Sequence, residues 1–287
     1  MKSPLLALIL TFALAACAPQ PQPARPAFWQ VTGPNGEKAW LLGTIHALPR
    51  PADWRSPAID KAFAEADSVA VEVSGLGDAA AMSRAYARLS TSAGLPPLAQ
   101  RIDPAMRAAL AERLKRAGQS EADYANTETW GAALMLARAD AAPQDSANGI
   151  DRAVLRLASG KRVIEFEGAE AQFGIFDALP EKEQRDLLEA VLREGASPAG
   201  ESADLAEAWR RGDFAAIEAE THRGLLADPE LRAALFTGRN RTWADRMASE
   251  LNAGHKLFVA VGAAHMAGKD GLAAMLAARG FKVERLQ

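Results

Sequence analysis

Two segments near opposite ends of the chain share one pattern, an apolar run that ends in Gly-x-x-His. Residues 38–46 read KAWLLGTIH and residues 256–265 read KLFVAVGAAH, so that His46 and His265 each follow a predicted strand. After each histidine the sequence turns to helical spacing and then to a second apolar strand. A strand–helix–strand unit of this kind pairs its strands in parallel. Because ligands bind at the carboxyl edge of parallel sheets, we expect the two histidines to meet there.

The middle of the chain is predicted to be helical. Apolar residues recur at helical spacing over about residues 78–158 and 175–253, and the apolar run 161–167 reads as a strand between them. Residues 28–46 form two apolar runs around Gly33-Pro34-Asn35-Gly36, which predicts an antiparallel hairpin. We therefore predict an α/β (α+β) fold. Its small mixed, largely parallel central sheet is built from two β-Gly-x-x-His-α-β units, and a large helical insertion forms a cap.

The N-terminal segment has the pattern of a bacterial export signal. Residues 1–17 combine a basic residue, an apolar run shorter than the ~20 residues that span a membrane, and the ending Leu14-Ala15-Ala16-Cys17, which resembles a lipobox. Cys17, the only cysteine, would carry the lipid and bind the membrane, whereas the alternative is plain signal cleavage beside an incidental cysteine. Residues 18–27 are Pro-rich and predict a semi-extended tether to the domain at 28–287. As in the Gram-negative lipoproteins that this segment resembles, alanine after the cysteine indicates the outer membrane, with the domain facing the periplasm.

Charge excludes one class of partner. The formal net charge is −3 and no basic stripe is visible, so we do not expect nucleic acid to bind.

A carboxylate interrupts the third apolar run. Glu72 lies in VAVEVS, residues 69–74. In a central strand it would need a partner or a metal ion, whereas in an edge strand it would face water. Two imidazoles and a carboxylate, from His46, His265 and Glu72, form a plausible set of ligands for Mn, Co or Zn. The alternative is that the histidines are structural.

A second polar group lies in FTGRNRTWADRM, residues 236–247. The planar guanidinium of Arg239 is suited to neutralising a carboxylate or an oxyanion, and Asn240 would help orient the substrate. The alternative is an exposed helix start. Glu167 lies at the end of a predicted strand and could face the same cleft, whereas His222 and His255 are predicted to lie on the surface.

The motifs occur in the order found in a known family. They are LLGTIHALP (41–49), VAVEVS (69–74), GID (149–151), IEFEGAEAQ (164–172), LAEAWRRGDFAAIE (205–218), RNRTWADRM (239–247) and FVAVGAAHMAGKDGLAAMLAARGFKVERL (258–286). Over about residues 28–287 the chain resembles the TraB/GumN (TraB/PrgY/GumN) family, most closely its bacterial GumN-like members. That family is similar to the animal Tiki proteins, which are metal-dependent proteases of the membrane surface, and is related to the erythromycin-esterase and ChaN-like folds.

The resemblance implies a site made of two Gly-x-x-His motifs, a Glu and an Arg. Carried over to this sequence, these are His46, His265, Glu72 and Arg239. One departure is that the family often has Thr after the glutamate that corresponds to Glu167, where this chain has glycine, which puts a hydroxyl role there in doubt.

Four functional hypotheses follow. The leading one is a lipid-anchored, metal-dependent hydrolase of peptidase type that acts on a peptide or protein. A metal-independent, esterase-like hydrolase would instead use one histidine as a general base held by Glu72. The rival class is a lipoprotein that binds or sequesters a peptide, haem or glycan without turnover, and the plainest alternative is an envelope scaffold.

Overall fold

The computed structural model describes residues 20–139, 146–194 and 200–287. The predicted signal peptide and Cys17 lie outside these residues. The strands are β1 (Gln22–Pro23), β2 (Phe28–Thr32), β3 (Lys38–Thr44), β4 (Ala52–Asp53), β5 (Ser68–Val71), β6 (Arg162–Glu165), β7 (Leu257–Gly262) and β8 (Lys282–Arg285). The α-helices are α1 (Pro57–Glu65), α2 (Ala79–Leu89), α3 (Arg107–Ala117), α4 (Thr129–Ala139), α5 (Ile150–Leu157), α6 (Gly168–Asp177), α7 (Glu181–Glu194), α8 (Gly200–Arg211), α9 (Phe214–Glu220), α10 (Pro229–Arg232), α11 (Gly238–Asn252) and α12 (Leu272–Ala278).

Shorter helical turns connect these elements. Turns of 3-10 helix span Leu98–Gln100, Pro104–Met106, Glu121–Tyr124, Ser146–Asn148, Gly224–Ala227 and Ala263–Met266. A π-helical segment, Ala233–Thr237, joins α10 directly to α11.

Six strands form the main sheet in the order β6-β5-β7-β3-β2-β8. The neighbouring strands β6, β5, β7 and β3 all run parallel to one another. Strand β2 is antiparallel to both of its neighbours, β3 and β8. β3 and β7, the two strands that lead to the histidines, are direct neighbours with Thr44 opposite Gly262. The predicted fold class, a mixed and largely parallel sheet, is therefore confirmed.

Both predicted β-Gly-x-x-His-α-β units are present, as β3-α1-β5 and β7-α12-β8. The sequence before α1 explains why the helix of the first unit begins at Pro57. Ser56 accepts a hydrogen bond from the Ile59 N–H and Pro57 occupies the first turn, which is a favourable helix start. Ile59 and Ala62 then face the sheet and are buried.

The central strands are buried on both faces, as expected of parallel strands covered by helices. On β3, Trp40 and Leu42 pack into the core on one face of the sheet. Ala39 and Leu41 pack into the core on the other face, together with residues of α11 and α12. The predicted cap is a helical body with a core of its own, built around Leu110, Trp130, Leu188 and neighbouring residues. Helices α2–α5 fall within residues 78–158 and α7–α11 within residues 175–253, and α5, α8 and α11 contribute side chains to the cores that cover the sheet.

Two local expectations need correction. β5 ends at Val71, so Glu72 lies just beyond the strand and not within it. The predicted tether is partly attached to the domain, because Gln22 and Ala24 donate backbone hydrogen bonds to Pro51 and Asp53. Within the described ranges, no helix is both long enough and apolar enough to span a bilayer.

Candidate active site

The side chains expected to form one site converge around Gly262. A methyl group placed on Gly262 would lie 3.3 Å from Glu72 Oε1, 3.7 Å from His265 Cδ2 and 3.8 Å from His46 Nε2. Three side chains from three separate strand ends thus surround one point at the carboxyl edge of the sheet. We call His46, Glu72, Arg239 and His265 the histidine cluster.

Glu72 reaches this point because β5 pairs with β7. Its Oε1 accepts a hydrogen bond of 2.8 Å from the Gly262 N–H, and its Oε2 accepts one of 2.9 Å from Arg239 Nη2. The residue is only 7% exposed. Burial by itself would raise the pKa of Glu72, but the two imidazoles, the Arg239 guanidinium and the Gly262 N–H outweigh it and hold that pKa below its ordinary value.

His46 is oriented by a carboxylate. Its Nδ1 lies 2.8 Å from Asp151 Oδ2, and the other Asp151 oxygen accepts a short hydrogen bond from the Thr44 hydroxyl. The hydrogen bond to Asp151 raises the pKa of His46 to about 9. The His46 side chain lies in the cleft yet remains 70% exposed, whereas the Asp151 side chain is 8% exposed. With Nδ1 held by Asp151, Nε2 points toward Gly262.

The GID segment, residues 149–151, is docked directly on the TIH segment that contains His46. The Ile150 N–H donates a hydrogen bond of 2.9 Å to the Ile45 carbonyl. A Cβ on Gly149 would lie 2.2 Å from the His46 carbonyl oxygen, so only glycine allows this approach. The close contact brings Asp151, in the first turn of α5, within reach of the imidazole.

His265 is oriented by an amide and is 8% exposed. Its Nδ1 lies 2.6 Å from Asn240 Oδ1, while Asn240 Nδ2 donates a hydrogen bond of 2.7 Å to the Asp270 carbonyl. Because that carbonyl fixes which way the amide points, Nδ1 of His265 carries the proton and Nε2 accepts a long hydrogen bond of 3.4 Å from Arg239 Nη1. The ring stacks against Phe236 and contacts Trp243, at centroid distances of 5.3 and 4.6 Å. Burial lowers the pKa of His265 to about 4.

Arg239 is held between two carboxylates. It donates to Glu167 through Nε at 2.7 Å and Nη2 at 2.9 Å, and Nη2 also contacts Glu72. Its guanidinium lies 4.7 Å from the centre of the Trp243 ring, and Nη1 is 3.4 Å from His265 Nε2. The π-helical segment directly precedes this turn of α11, and π-bulges are frequent at functional sites.

Two residues expected to contact substrate lie behind the cluster. Asn240 is fully buried and holds His265, while both oxygens of Glu167 hold Arg239. Gly168, where the family often has Thr, has φ of +82°, a conformation that a β-branched residue rarely adopts. His222 is exposed and the His255 side chain is 43% exposed, as predicted for surface residues.

Asp151 is the residue that sequence reasoning missed. The GID segment was recognised as a motif, but no role was assigned to its carboxylate. The sequence gives little indication of this role, because His46, the partner of Asp151, lies 105 positions away.

A cleft of about 320 Å³ opens beside the cluster. One side is formed by the two strand ends and includes Thr44, His46 and the residues from Gly262 to His265. The opposite side is formed by α8, α9 and the turn that follows, and includes Leu205, Trp209, Ile217 and Leu226.

The donor set has the chemistry of a divalent-metal site. Each imidazole has its Nδ1 held by a neighbour, which is how metal-ligating histidines are positioned in proteins, but His265 Nε2 lies 3.4 Å from Arg239 Nη1. Both Glu72 oxygens, however, already accept hydrogen bonds. Among the residues described, no group of three or more His, Cys, Asp or Glu side chains is placed to hold a metal ion as the chain stands. A metal ion held by His46, His265 and Glu72 would therefore have to displace Arg239 Nη1 from His265 Nε2 and share a Glu72 oxygen now bound to Arg239 or Gly262.

Comparison with known proteins gives one match. A family model described as the TraB/PrgY/gumN family matches residues 27–285. Neither the curated proteins nor the solved structures contain a significant match.

Proposed function

The chain belongs to the TraB/PrgY/gumN family, and we propose that its cleft is the active site of a metal-dependent hydrolase of peptidase type. The observation that carries this proposal is the convergence of His46, Glu72 and His265 on Gly262. Two imidazoles and a carboxylate at one sheet edge, beside an open cleft and a fixed guanidinium, match the requirements for attack of water on a carbonyl.

His46 Nε2, His265 Nε2 and Glu72 would hold a divalent ion such as Mn, Co or Zn. When bound, such an ion lowers the pKa of water toward about 7 and polarises a carbonyl. Asp151 orients the His46 imidazole and Asn240 orients the His265 imidazole, each through a hydrogen bond to Nδ1. These two residues act through the histidines, so we regard them as positioning residues.

The remaining charges fit the same chemistry. Glu72 stays ionised, so it is able to accept a proton from water. Arg239 is fixed by Glu167 and Trp243, and its Nη1 lies 3.4 Å from His265 Nε2. We assign to Arg239 the stabilisation of the oxyanion that forms during hydrolysis, since a preorganised donor needs no rearrangement at that moment.

One observation supports a metal-independent version of the same reaction. His265 is neutral, with its Nε2 unprotonated and 3.4 Å from Arg239 Nη1, while His46 is a cation at neutral pH. In this version His265 takes the proton from water, and His46 and Arg239 stabilise the oxyanion.

The test is cleavage of a peptide library by the purified protein, with Mn²⁺, Co²⁺ or Zn²⁺ added or with a chelator, read out by mass spectrometry. We expect new products only with metal, reduced by about 10²–10⁴-fold in His46→Ala and His265→Ala. His255→Ala is the matched control, since this histidine lies on the surface.

Each other result selects a different function. Turnover that survives the chelator supports the metal-independent hydrolase. Retention of a peptide, haem or glycan without products supports the binding protein. Unfolding of both alanine variants, followed by circular dichroism, identifies the histidines as structural and contradicts the hydrolase.

We also propose that the protein is attached to the outer membrane through a lipid on Cys17, on the strength of the sequence at its N-terminus. Cys17→Ser is expected to move the protein from the membrane fraction to the soluble fraction. A protein that stays in the membrane fraction and carries no acyl mass contradicts the anchor.

A further inference from the structure

The part of the cleft lining that comes from α8, α9 and the following turn is mostly apolar. Its apolar members are Leu205, Trp209, Ile217 and Leu226, and we call this set the apolar pocket. Trp209 and Ile217 are each 1% exposed and belong to the core, so the floor of the pocket is fixed. Leu205, by contrast, is 38% exposed, which is unusual for a large aliphatic side chain in this domain.

Polar groups near the apolar pocket already have partners inside the protein. The Trp209 indole N–H donates to the Gly43 carbonyl at 2.9 Å, and the Thr221 hydroxyl donates to the Glu218 carbonyl at 2.8 Å. Glu220, at the rim, forms an ion pair of 3.1 Å with Arg223. An occupant of this end of the cleft therefore finds no unsatisfied donor or acceptor among these groups.

From this geometry we infer that the apolar pocket binds a large, neutral, apolar side chain of the substrate, next to the bond that the histidine cluster hydrolyses. The inference rests on the proposed function. It commits to the substrate itself as the occupant, because the pocket and the two histidines line the same cleft.

Size and charge favour this occupant over others. A cavity of roughly 150 Å³ lined by aliphatic and aromatic side chains accepts a benzene ring, and the present cleft of about 320 Å³ has room for such a ring and adjoining backbone. A basic side chain would need a free carboxylate, but the one at the rim is already paired with Arg223. An acidic side chain would be placed against hydrocarbon and beside Glu220.

The test uses two readouts. The first is the affinity of the full chain for Nα-acetyl amino acids, measured by calorimetry. The alanine, leucine and phenylalanine compounds test the size of the apolar side chain, and the Nα-acetyllysine compound tests charge. We expect the leucine and phenylalanine compounds to bind at least about tenfold more tightly than the alanine compound, as expected when one or more methylenes enter an apolar site. The second is the residue preference beside each bond cut in the peptide library.

Leu205→Asp is the decisive variant because Leu205 is on the surface of α8, so its replacement spares the core. It should abolish the preference for leucine and phenylalanine in both readouts. Leu286→Asp, at a position that is 47% exposed and outside the cleft, is the matched control and should leave both readouts unchanged.

The outcomes separate this inference from the proposed function. Cleavage without any apolar preference, or a preference that survives Leu205→Asp, overturns the apolar pocket and leaves the hydrolase standing. Graded binding that is lost in Leu205→Asp, with no cleavage under any condition, supports the pocket and contradicts the hydrolase. Equal binding of all four compounds overturns the pocket whatever the library shows.

Discussion

His46 and His265 follow the same motif on neighbouring strands, yet their surroundings shift their pKa values in opposite directions. His46 lies open to the cleft, and its hydrogen bond to Asp151 raises its pKa to about 9. His265 is enclosed by two aromatic rings and an amide, and burial lowers its pKa to about 4. At neutral pH one imidazole is a cation and the other is neutral.

This difference shows that the motif fixes position but not chemistry. Gly-x-x-His places an imidazole at the sheet edge in both cases. The group that binds Nδ1, a carboxylate for His46 and an amide for His265, then determines whether a positive charge is favoured. Both of these groups come from helices of the insertions, α5 and α11.

The largest loss of stability is expected from removing Arg239, the cation beside His265. Arg239→Met leaves the buried carboxylates of Glu72 and Glu167 without their partner, which typically lowers the free energy of unfolding by about 3–5 kcal/mol. Denaturant unfolding measures the change. Arg162→Met, which breaks the exposed pair with Glu250, is the control and should lower the free energy of unfolding far less. Equal losses in the two variants would contradict the buried arrangement.

A smaller loss is expected when the amide behind His265 is removed. Asn240→Ala leaves His265 Nδ1 and the Asp270 carbonyl without partners, which should lower the free energy of unfolding by about 1–3 kcal/mol. The pKa of His265 should remain low, because burial and not this hydrogen bond is its main cause. A rise of the His265 pKa to its ordinary value in Asn240→Ala would show that the amide keeps the ring neutral.

The two histidines also give stability opposite dependences on pH. The pKa of His265 is lower in the folded state, so its contribution is present above about 6.5 and is lost as the pH falls toward about 4. The loss approaches ~1.4 kcal/mol per pH unit between pH 6 and 5 on this account. The pKa of His46 is raised, so its contribution is complete below about 6.5 and is lost as the pH rises through about 9.

Urea unfolding of metal-free protein across this range tests both signs. His265→Gln should remove the acid loss above pH 5 while keeping the alkaline one. An unchanged acid dependence in His265→Gln would mean that another group carries it.

The charge state of His46 is the readout for Asp151→Asn, which makes the surroundings of His46 resemble those of His265. The pKa of His46 should fall from about 9 toward 6.5, because its hydrogen bond to this carboxylate is the largest cause of the shift. NMR titration of the imidazoles measures the change. Asp60→Asn, which replaces the exposed partner of Arg55, is the control. A His46 pKa that does not move would exclude Asp151 as the cause.

The sequence predicts the parts of this arrangement that depend on local pattern. Apolar runs with Gly-x-x-His endings predict the sheet, and parallel pairing brings His46 and His265 to one edge. Glu72 stands out because it interrupts a β-branched run, and the structure places it with the two histidines.

The neighbours of these residues are harder to predict, because they depend on how helices dock over long sequence separations. Asp151 lies 105 positions from His46, and Glu167 lies 72 positions from Arg239. The sequence predicts that Asn240 faces the substrate. In the structure it follows Arg239 in α11, and its side chain is fully buried. Local spacing cannot tell a buried residue that positions a histidine from an exposed residue that binds substrate. Both kinds are polar residues at a predicted helix start.

Imidazole NMR of the metal-free protein, labelled with ¹⁵N-histidine and titrated from pH 4 to 10, tests the central claim most directly. The account predicts that one cleft imidazole, lost in His265→Gln, stays neutral with its proton on Nδ1 down to about pH 4. A second, lost in His46→Gln, stays doubly protonated up to about pH 9. Titration of both near 6.5, without any response of one ring to substitution of the other, would contradict a shared site with one cationic and one neutral imidazole.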